Sequence, residues 1–387
     1  MRALGRKITW ILAAWWGERP LSQLAVLLGV FALFSVLGAN TVDNLGRLGI
    51  TVGFGYLDHP ANFEIGESLV AYTSGDSYAR ALGVGILNTA LVSIIGCLLA
   101  TLLGVALGIG RLSANLLISR AVQLYVEVIR NTPLLLQLFF WSATIHALPG
   151  PRQAFEPLTG VFLTNRGLYM PALAMDGAAV FSLLLLGGGA LAGVVRILVH
   201  ERRHGPMERA AKTALLGAVA VLLLGVLALC LGGAVSVEPP RLGGFNITGG
   251  WVLSPEFLAL LVGLVINASA VICEIVRSGI EAVPEGQWEA ARSLGLTRGR
   301  TLRLVVLPQA LRVVIPLMTS SYLSLTKNSS LAVAIGFPDL VSVVNTSANQ
   351  TGHVFEAIAL MMAVYLTISL TVSAALNFYN HRLSLGR

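Results

Sequence analysis

The feature that most limits how this chain can fold is a series of apolar stretches, each about as long as a bilayer is thick. A helix rises about 1.5 Å per residue, so crossing a hydrocarbon core of about 30 Å takes about 20 mostly apolar residues. On that measure the sequence offers eight spans, at roughly 21–39, 84–110, 131–149, 177–198, 213–235, 256–278, 305–326 and 354–378. Composition agrees: 12% of the residues are charged and 55% hydrophobic, where a soluble domain carries about 25% charged residues. The 41 glycines sit within apolar runs rather than between charges, so they do not signal disorder. Pro133, Pro308 and Pro316 fall within or beside the third and seventh spans. Such prolines are tolerated where neighbouring helices satisfy the freed carbonyl. The expected fold is an all-α polytopic membrane protein of about eight transmembrane helices. Its first span follows Arg2, Arg6 and Lys7 and reads as a retained anchor rather than a removed signal peptide.

The net charge of +7 could suggest nucleic acid, but its placement along the chain says otherwise. With the N-terminus cytoplasmic, the segments 40–83, 150–176, 236–255 and 327–353 lie outside. They hold Arg47, Arg80, Arg152, Arg166, Arg241 and Lys327, six of the 26 basic residues. Asp43, Asp58, Glu64, Glu67 and Asp76 crowd the first outer loop, while Arg202, Arg203, Arg209 and Lys212, or Arg292, Arg298, Arg300 and Arg303, cluster inside. That asymmetry is the positive-inside pattern. It places both termini in the cytoplasm and removes nucleic acid as a partner, leaving membrane lipid.

Catalytic and metal signals are missing. A P-loop needs Gly-Lys-Ser/Thr, and the three lysines (Lys7, Lys212, Lys327) follow Arg6, Ala211 and Thr326. Cys97, Cys230 and Cys273 lie in apolar runs with no metal or redox spacing and read as packing residues. No role attaches to the scattered histidines. The chain is therefore expected to be no enzyme and to hold no cofactor or metal. The outer loop from Asn40 to Arg80 carries Phe54, Tyr56, Phe63 and Tyr72 among its acids. It reads either as a cover or partner contact at the outer mouth or as a connector.

The most specific pattern lies between spans six and seven, at about 281–304. It runs Gly279-Ile-Glu-Ala-Val-Pro284-Glu-Gly286-Gln-Trp-Glu289-Ala290-Ala291-Arg-Ser-Leu-Gly295, then nine residues, then Val305-Val-Leu307-Pro308. A short helix is expected from about Glu285 to Leu294, with acids in the first turn to suit the dipole. Gly295 would end it in a left-handed cap, and Thr297 would cap a second short helix. Small residues at Ala290 and Ala291 would let another protein approach closely.

That spacing resembles the EAA loop of permease subunits of bacterial ABC importers. Arg130-Asn131-Thr132-Pro133-Leu-Leu, Glu274-Ile-Val-Arg277-Ser-Gly279, Leu307-Pro308-Gln-Ala and Lys327-Asn328-Ser-Ser330-Leu are similar to blocks of the polar and general L-amino-acid subfamily, the histidine/glutamine permease type. Asn131 and Ser278 stand where that subfamily usually has glycine. The resemblance covers about 80–140 and 255–380, and implies a type I importer core with extra helices. The layout is then an N-terminal anchor helix and outer loop at 1–80, and a permease domain at 81–387 with helices inserted at about 177–235.

The resemblance implies that Gly286, Glu289, Ala290, Ala291, Gly295 and Pro308 couple the chain to a cytoplasmic ATPase, which would hold ATP and magnesium. Further partners would be a second permease subunit (an identical copy or, as the subfamily favours, a paralogue), two ATPase copies in all, and an extracytoplasmic amino-acid-binding protein, at a bacterial inner membrane. Charges within spans are costly unless paired or in a wet cavity. Glu274 is therefore a candidate for the substrate path, as are the polar groups Lys327, Asn328 and Ser330 at the end of the seventh span and Thr132. For Glu274 the alternative is a structural ion pair with Arg277, with Lys327 or Arg312 nearby. Glu127 and Arg130 read as structural. The rival function is a secondary amino-acid transporter driven by an ion gradient, which needs no ATPase.

Overall fold

The computed structural model describes residues 20–47, 53–175, 217 and 235–384. Five helices among them are long and apolar enough to cross a membrane: Ser22–Asn44, Tyr78–Arg111, Pro255–Glu281, Arg298–Ile335 and Val354–Ala374. They correspond to the first, second, sixth, seventh and eighth expected spans. The stretches at 177–198 and 213–235, with Cys230, lie outside the described residues. The third stretch forms a shorter helix, Leu134–His146, of 13 residues, about 20 Å long. Pro133 sets its start, because the residue before a proline is pushed out of the helical region. Thr132 accordingly is extended, at φ −101° and ψ 126°.

The described residues divide into two compact units. One comprises those up to Thr89 together with Pro338–Ala375. It contains α1 (Pro20–Arg47), the first turns of α2 (Tyr78–Arg111), α9 (Leu340–Thr351) and most of α10 (Val354–Ser384). α1 is apolar and buries none of its spanning window within the chain, as expected of a helix surrounded by lipid. The loop from residue 53 to α2 is folded. Tyr56, Ala61 and Ile65 pack in one core with Tyr78, Ala81, Leu82 and Val343. Asn88 Nδ2 donates to Glu67 O at 2.8 Å and to Pro338 O at 2.9 Å. The Gly53 N–H reaches Glu356 Oε1 at 2.9 Å, and Tyr56 stacks on His353 with ring centroids 4.8 Å apart.

Asp339 is the N-cap of α9. Its Oδ1 accepts the Ser342 N–H at 2.9 Å, while Oδ2 is buried without a partner among the described residues. Burial pushes this carboxyl up to about 6, against backbone N–H groups that pull it down.

The second unit holds the rest of α2, α3 (Leu116–Asn131), α4 (Leu134–His146), a set of short strands, α5 (Pro255–Glu281), α6 (Glu285–Ser293), α7 (Arg298–Thr301) and α8 (Leu307–Asn328). The strands occupy the segments expected as outer connections. β1 (Phe155–Leu158), β2 (Val161–Thr164), β3 (Gly167–Met170) and β8 (Trp251–Leu253) form an antiparallel sheet in the order β1-β2-β3-β8. β4 (Ala172–Met175) pairs with β5 (Val235–Glu238), and β6 (Arg241–Gly243) with β7 (Asn246–Thr248). Short β-branched and aromatic runs between turn residues favour hairpins, a signal that the hydropathy reading passes over.

α5 is the central helix of this unit. Ser254 Oγ caps it by accepting the Phe257 N–H at 3.0 Å, and Pro255 sits in the first turn, where no N–H is needed. α2 meets it through Gly104-Val-Ala-Leu-Gly108, a small-xxx-small pattern that lets helix backbones approach. A Cβ on Gly104 would lie 2.6 Å from Ile272 Cβ and 2.9 Å from Ser269 O, and one on Gly108 would lie 2.8 Å from Val276 Cβ. Tyr125 of α3 bonds Ser269 Oγ at 2.8 Å, and Thr101 of α2 bonds the Tyr322 hydroxyl of α8 at 2.8 Å. Cys273 is fully buried and Cys97 partly so, both as free thiols, in keeping with packing roles.

Two outcomes are expected. Gly104→Ala should lower the melting temperature of the detergent-solubilised protein, because overpacking a tight contact costs about 1–3 kcal/mol. Gly83→Ala, where a Cβ meets nothing within 4 Å, should leave it unchanged or raise it through helix propensity. Asp339 binds its proton more readily folded than unfolded, so its linkage lowers stability as pH rises from 3.8 to about 6. Asp339→Asn keeps a good N-cap and should flatten that part of the curve of melting temperature against pH.

Candidate functional site

The segment linking α5 to α8 is built as a supported knob. Pro284 precedes α6, and the helix ends in a Schellman cap. The Gly295 N–H bonds Arg292 O at 2.9 Å and the Leu296 N–H bonds Ala291 O at 3.1 Å, with Gly295 at φ +72°. This left-handed geometry is the one expected, and glycine adopts it without strain. Ala291 turns inward and is 2% exposed. Gly286, Glu289, Ala290 and Gly295 are exposed, and Leu294 on the same loop is 80% exposed. The knob therefore exposes small residues at Gly286, Ala290 and Gly295 beside the charges of Glu285, Glu289 and Arg292 and the apolar Leu294.

Thr297 does stand at the start of α7, but its side chain makes no capping bond, so the expected cap there is positional only. From α7 the chain passes through a π turn, Leu302–Val306, into α8. The Leu307 N–H reaches back five residues to Leu302 O. Pro308, exposed at the second position of α8, lacks the N–H that an α-helical bond to residue 304 would need. The wider turn just before it accommodates the proline. Gln309 Nε2 ties the two elements together, donating to Gln287 Oε1 at 3.2 Å and Val305 O at 3.0 Å.

A groove of about 340 Å³ lies between α5 and α8. Asn267, Val271 and Ile275 line it from α5, and Leu317, Ser320, Ser321, Ser324 and Asn328 from α8. These positions recur at three- and four-residue steps, so they fall on one face of each helix. Among the described residues the side chains of Asn267, Ser320, Ser321, Ser324 and Asn328 have no hydrogen-bond partner. Only Asn328 of these five was expected on the path. The serines were missed because serine inside a helix carries little signal alone; the spacing Ser320, Ser324, Asn328 along one face was the available clue.

The other expected path residues do not line this groove. Ser330 Oγ donates to Lys327 O at 2.7 Å, and Thr132 Oγ1 donates to Val128 O at 2.8 Å, so both bond back onto their own helices. Lys327 is exposed. Glu274 lies on a different face of α5. Its Oε2 is 2.8 Å from Arg277 Nη2, and its Oε1 is 3.8 Å from Arg111 Nε. Arg111 of α2, rather than Lys327 or Arg312, is thus the second cation. Arg277 also contacts Glu281, giving a four-residue charge network. Glu127 and Arg130, expected as a structural pair, form no ion pair with each other among the described residues. Gln123 Nε2 instead donates to Glu127 Oε1 at 2.7 Å.

Residues 100–384 match the family described as binding-protein-dependent transport system inner membrane component. The protein YhdX of Escherichia coli (strain K12) is 46% identical over 94% of both chains. The general L-amino acid transport system permease protein AapQ of Rhizobium johnstonii is 42% identical, over 89% of this chain and 87% of its own. The glutamate/glutamine/aspartate/asparagine transport system permease protein BztB of Rhodobacter capsulatus is 36% identical, over 94% and 93%. A solved amino acid ABC transporter aligns over 79% of this chain and 95% of its own, with 24% identity and a TM-score of 0.46. This multi-pass membrane chain, with its knob between α5 and α8, belongs to the family of binding-protein-dependent transport system inner membrane components.

Proposed function

We propose that the chain is the permease subunit of an ATP-driven importer of L-amino acids. The observation that carries this reading is mechanical: the exposed knob at Gly286, Glu289, Ala290 and Gly295 is joined, by the helical run through Pro308, to the helix that lines the polar groove. A push on one is delivered to the other. The amino-acid transport named in AapQ and BztB supports the substrate class. The knob would seat in a cytoplasmic ATPase that holds ATP and magnesium, with this chain using no cofactor of its own. Two ATPase copies, a second permease subunit (a paralogue) and an extracytoplasmic amino-acid-binding protein would complete the assembly in a bacterial inner membrane, both termini cytoplasmic.

In this reading the groove is the passage. Its five unpartnered polar side chains would replace part of the hydration shell of a small zwitterion, and neutral amides and hydroxyls bind weakly enough to let it go. Glu274 would hold α5 against α2, and Lys327 at the end of α8 would attract the substrate carboxylate at the outer side. ATPase closure would favour one of two arrangements of α5 and α8. Substrate alone shifts that equilibrium only as far as it binds the two arrangements differently.

The test is uptake of labelled amino acids by proteoliposomes carrying this chain with its ATPase, mate and binding protein. Uptake should require ATP and be blocked by vanadate; uptake without ATP, driven by a sodium or proton gradient, would sink the reading in favour of a secondary transporter. Gly295→Val, which forces a β-branched residue to φ > 0, and Glu289→Lys should each abolish uptake while insertion stays normal. Normal uptake by both would remove the coupling role. The double variant Ser324→Ala/Asn328→Leu should raise KM about thirtyfold, since two lost hydrogen bonds at about 1 kcal/mol each amount to about 2 kcal/mol, with ATPase association unchanged.

A further inference from the structure

We propose that the cleft between α2, α3 and α5 is a second binding site for an α-amino acid zwitterion, filled from the cytoplasm and acting as a brake on import. The inference rests on the reading of the chain as an amino-acid permease. The cleft measures about 350 Å³ and is lined by Arg111, Val126, Glu127, Arg130, Asn131 and Glu274. It does not share a lining residue with the groove between α5 and α8.

The charges around it are not equally satisfied. Glu274 has a cation on each oxygen, Arg277 on one and Arg111 on the other. Glu127 and Arg130 are different. They stand three residues apart on α3, a spacing at which opposite charges ordinarily meet, and they do not meet. Glu127 takes the Gln123 amide on Oε1, leaving its other oxygen open. Arg130 and the Asn131 side chain have no hydrogen-bond or ion-pair partner among the described residues. Glu127, Arg130 and Asn131 are exposed, so a guanidinium, a carboxylate oxygen and an amide without protein partners border one solvent-open cleft that the buried Val126 also lines.

A ligand that satisfies all three must carry an anion and a cation a few ångströms apart. The α-carboxylate of an amino acid fits the Arg130 fork, where two parallel N–H bonds are possible. Its ammonium fits Glu127, and the Asn131 amide serves either group. The cleft lies at the end of the helices that leads to the knob. Arg111 closes α2, and Glu274 is two turns from the end of α5, where the chain turns into α6. A zwitterion there ties α2, α3 and α5 together at the cytoplasmic end. If it binds one arrangement of these helices better than the other, it opposes the cycle by that difference.

The test uses the reconstituted complex with ATP trapped in the lumen and labelled amino acid with binding protein outside. Preloading the lumen with millimolar unlabelled amino acid should slow the initial uptake rate of the wild type by about fivefold or more, the lower end of ordinary coupling. Arg130→Gln should keep the rate seen with an empty lumen and lose the slowing, while Arg130→Lys, which keeps the charge, should retain part of it. Equilibrium dialysis of labelled amino acid against the purified complex without ATP should show one fewer bound molecule per copy of this chain in Arg130→Gln. Wild-type uptake insensitive to luminal amino acid, or undiminished slowing in Arg130→Gln, would overturn the proposal. So would an effect of Arg130→Gln confined to vesicles containing phosphatidylglycerol, which would mark a lipid headgroup site. Absence of ATP-driven uptake in the wild type overturns the permease reading itself, a result distinct from the others.

Discussion

The close approach of α2 and α5 is the constraint on which the second unit depends. Nothing larger than hydrogen fits at Gly104 and Gly108, where Ile272 and Val276 come within carbon-contact distance of the opposing backbone. In lipid, helices gain little by burying apolar surface against one another, so such interdigitation and interhelical polar bonds must supply the association. The same contact sets the position of the nearby charges. Arg111 lies three residues beyond Gly108, and Glu274 lies between Ile272 and Val276. Once the backbones are close, the guanidinium has the carboxylate within reach, and neither charge is left alone in a costly environment.

Polar groups in this unit fall into two populations. Some are satisfied within the chain, such as Glu274, Tyr125 and Thr101, and these hold helices together. Others face open space with their hydrogen-bonding capacity free, as along the groove of Asn267, Ser320 and Ser324. Ser320 and Ser324 are exposed and Asn267 half-buried. Such groups facing hydrocarbon would lack partners, so a helix face that carries several of them suits a surface where water or a transient guest supplies the missing bonds. The first population makes a frame and the second lines what the frame encloses.

Much of this was legible in the sequence, and the reason is local. Five apolar runs of spanning length, the extent of α6 to within a residue and the left-handed turn at Gly295 all follow from side-chain type and spacing along one segment. What escaped was anything requiring two segments at once. Arg111 as a partner of Glu274 depends on how α2 lies on α5, and the serine face of α8 gains meaning only opposite Asn267. The hairpins at 155–175 and 235–253 escaped for another reason: three- and four-residue strands are too short for period-two alternation to stand out beside apolar runs. The expected Glu127–Arg130 pair failed because helical spacing permits an ion pair without compelling it.

The π turn and Pro308 have a consequence that concerns stiffness. Proline ordinarily breaks a helix or opens a kink, which would make a soft joint at the base of α8. Here the wide turn absorbs the mismatch, and helical structure continues from Arg298 to Ile335, a run of 38 residues, about 57 Å end to end. The run is not uniform along its length: Pro316 removes a backbone hydrogen bond in the interior of α8, and its last turns, Ser329–Ile335, form a 3-10 helix. The stiffest stretch is therefore the base, where the π turn and Pro308 tie α8 to the knob, and the place for bending is Pro316, about two turns further along.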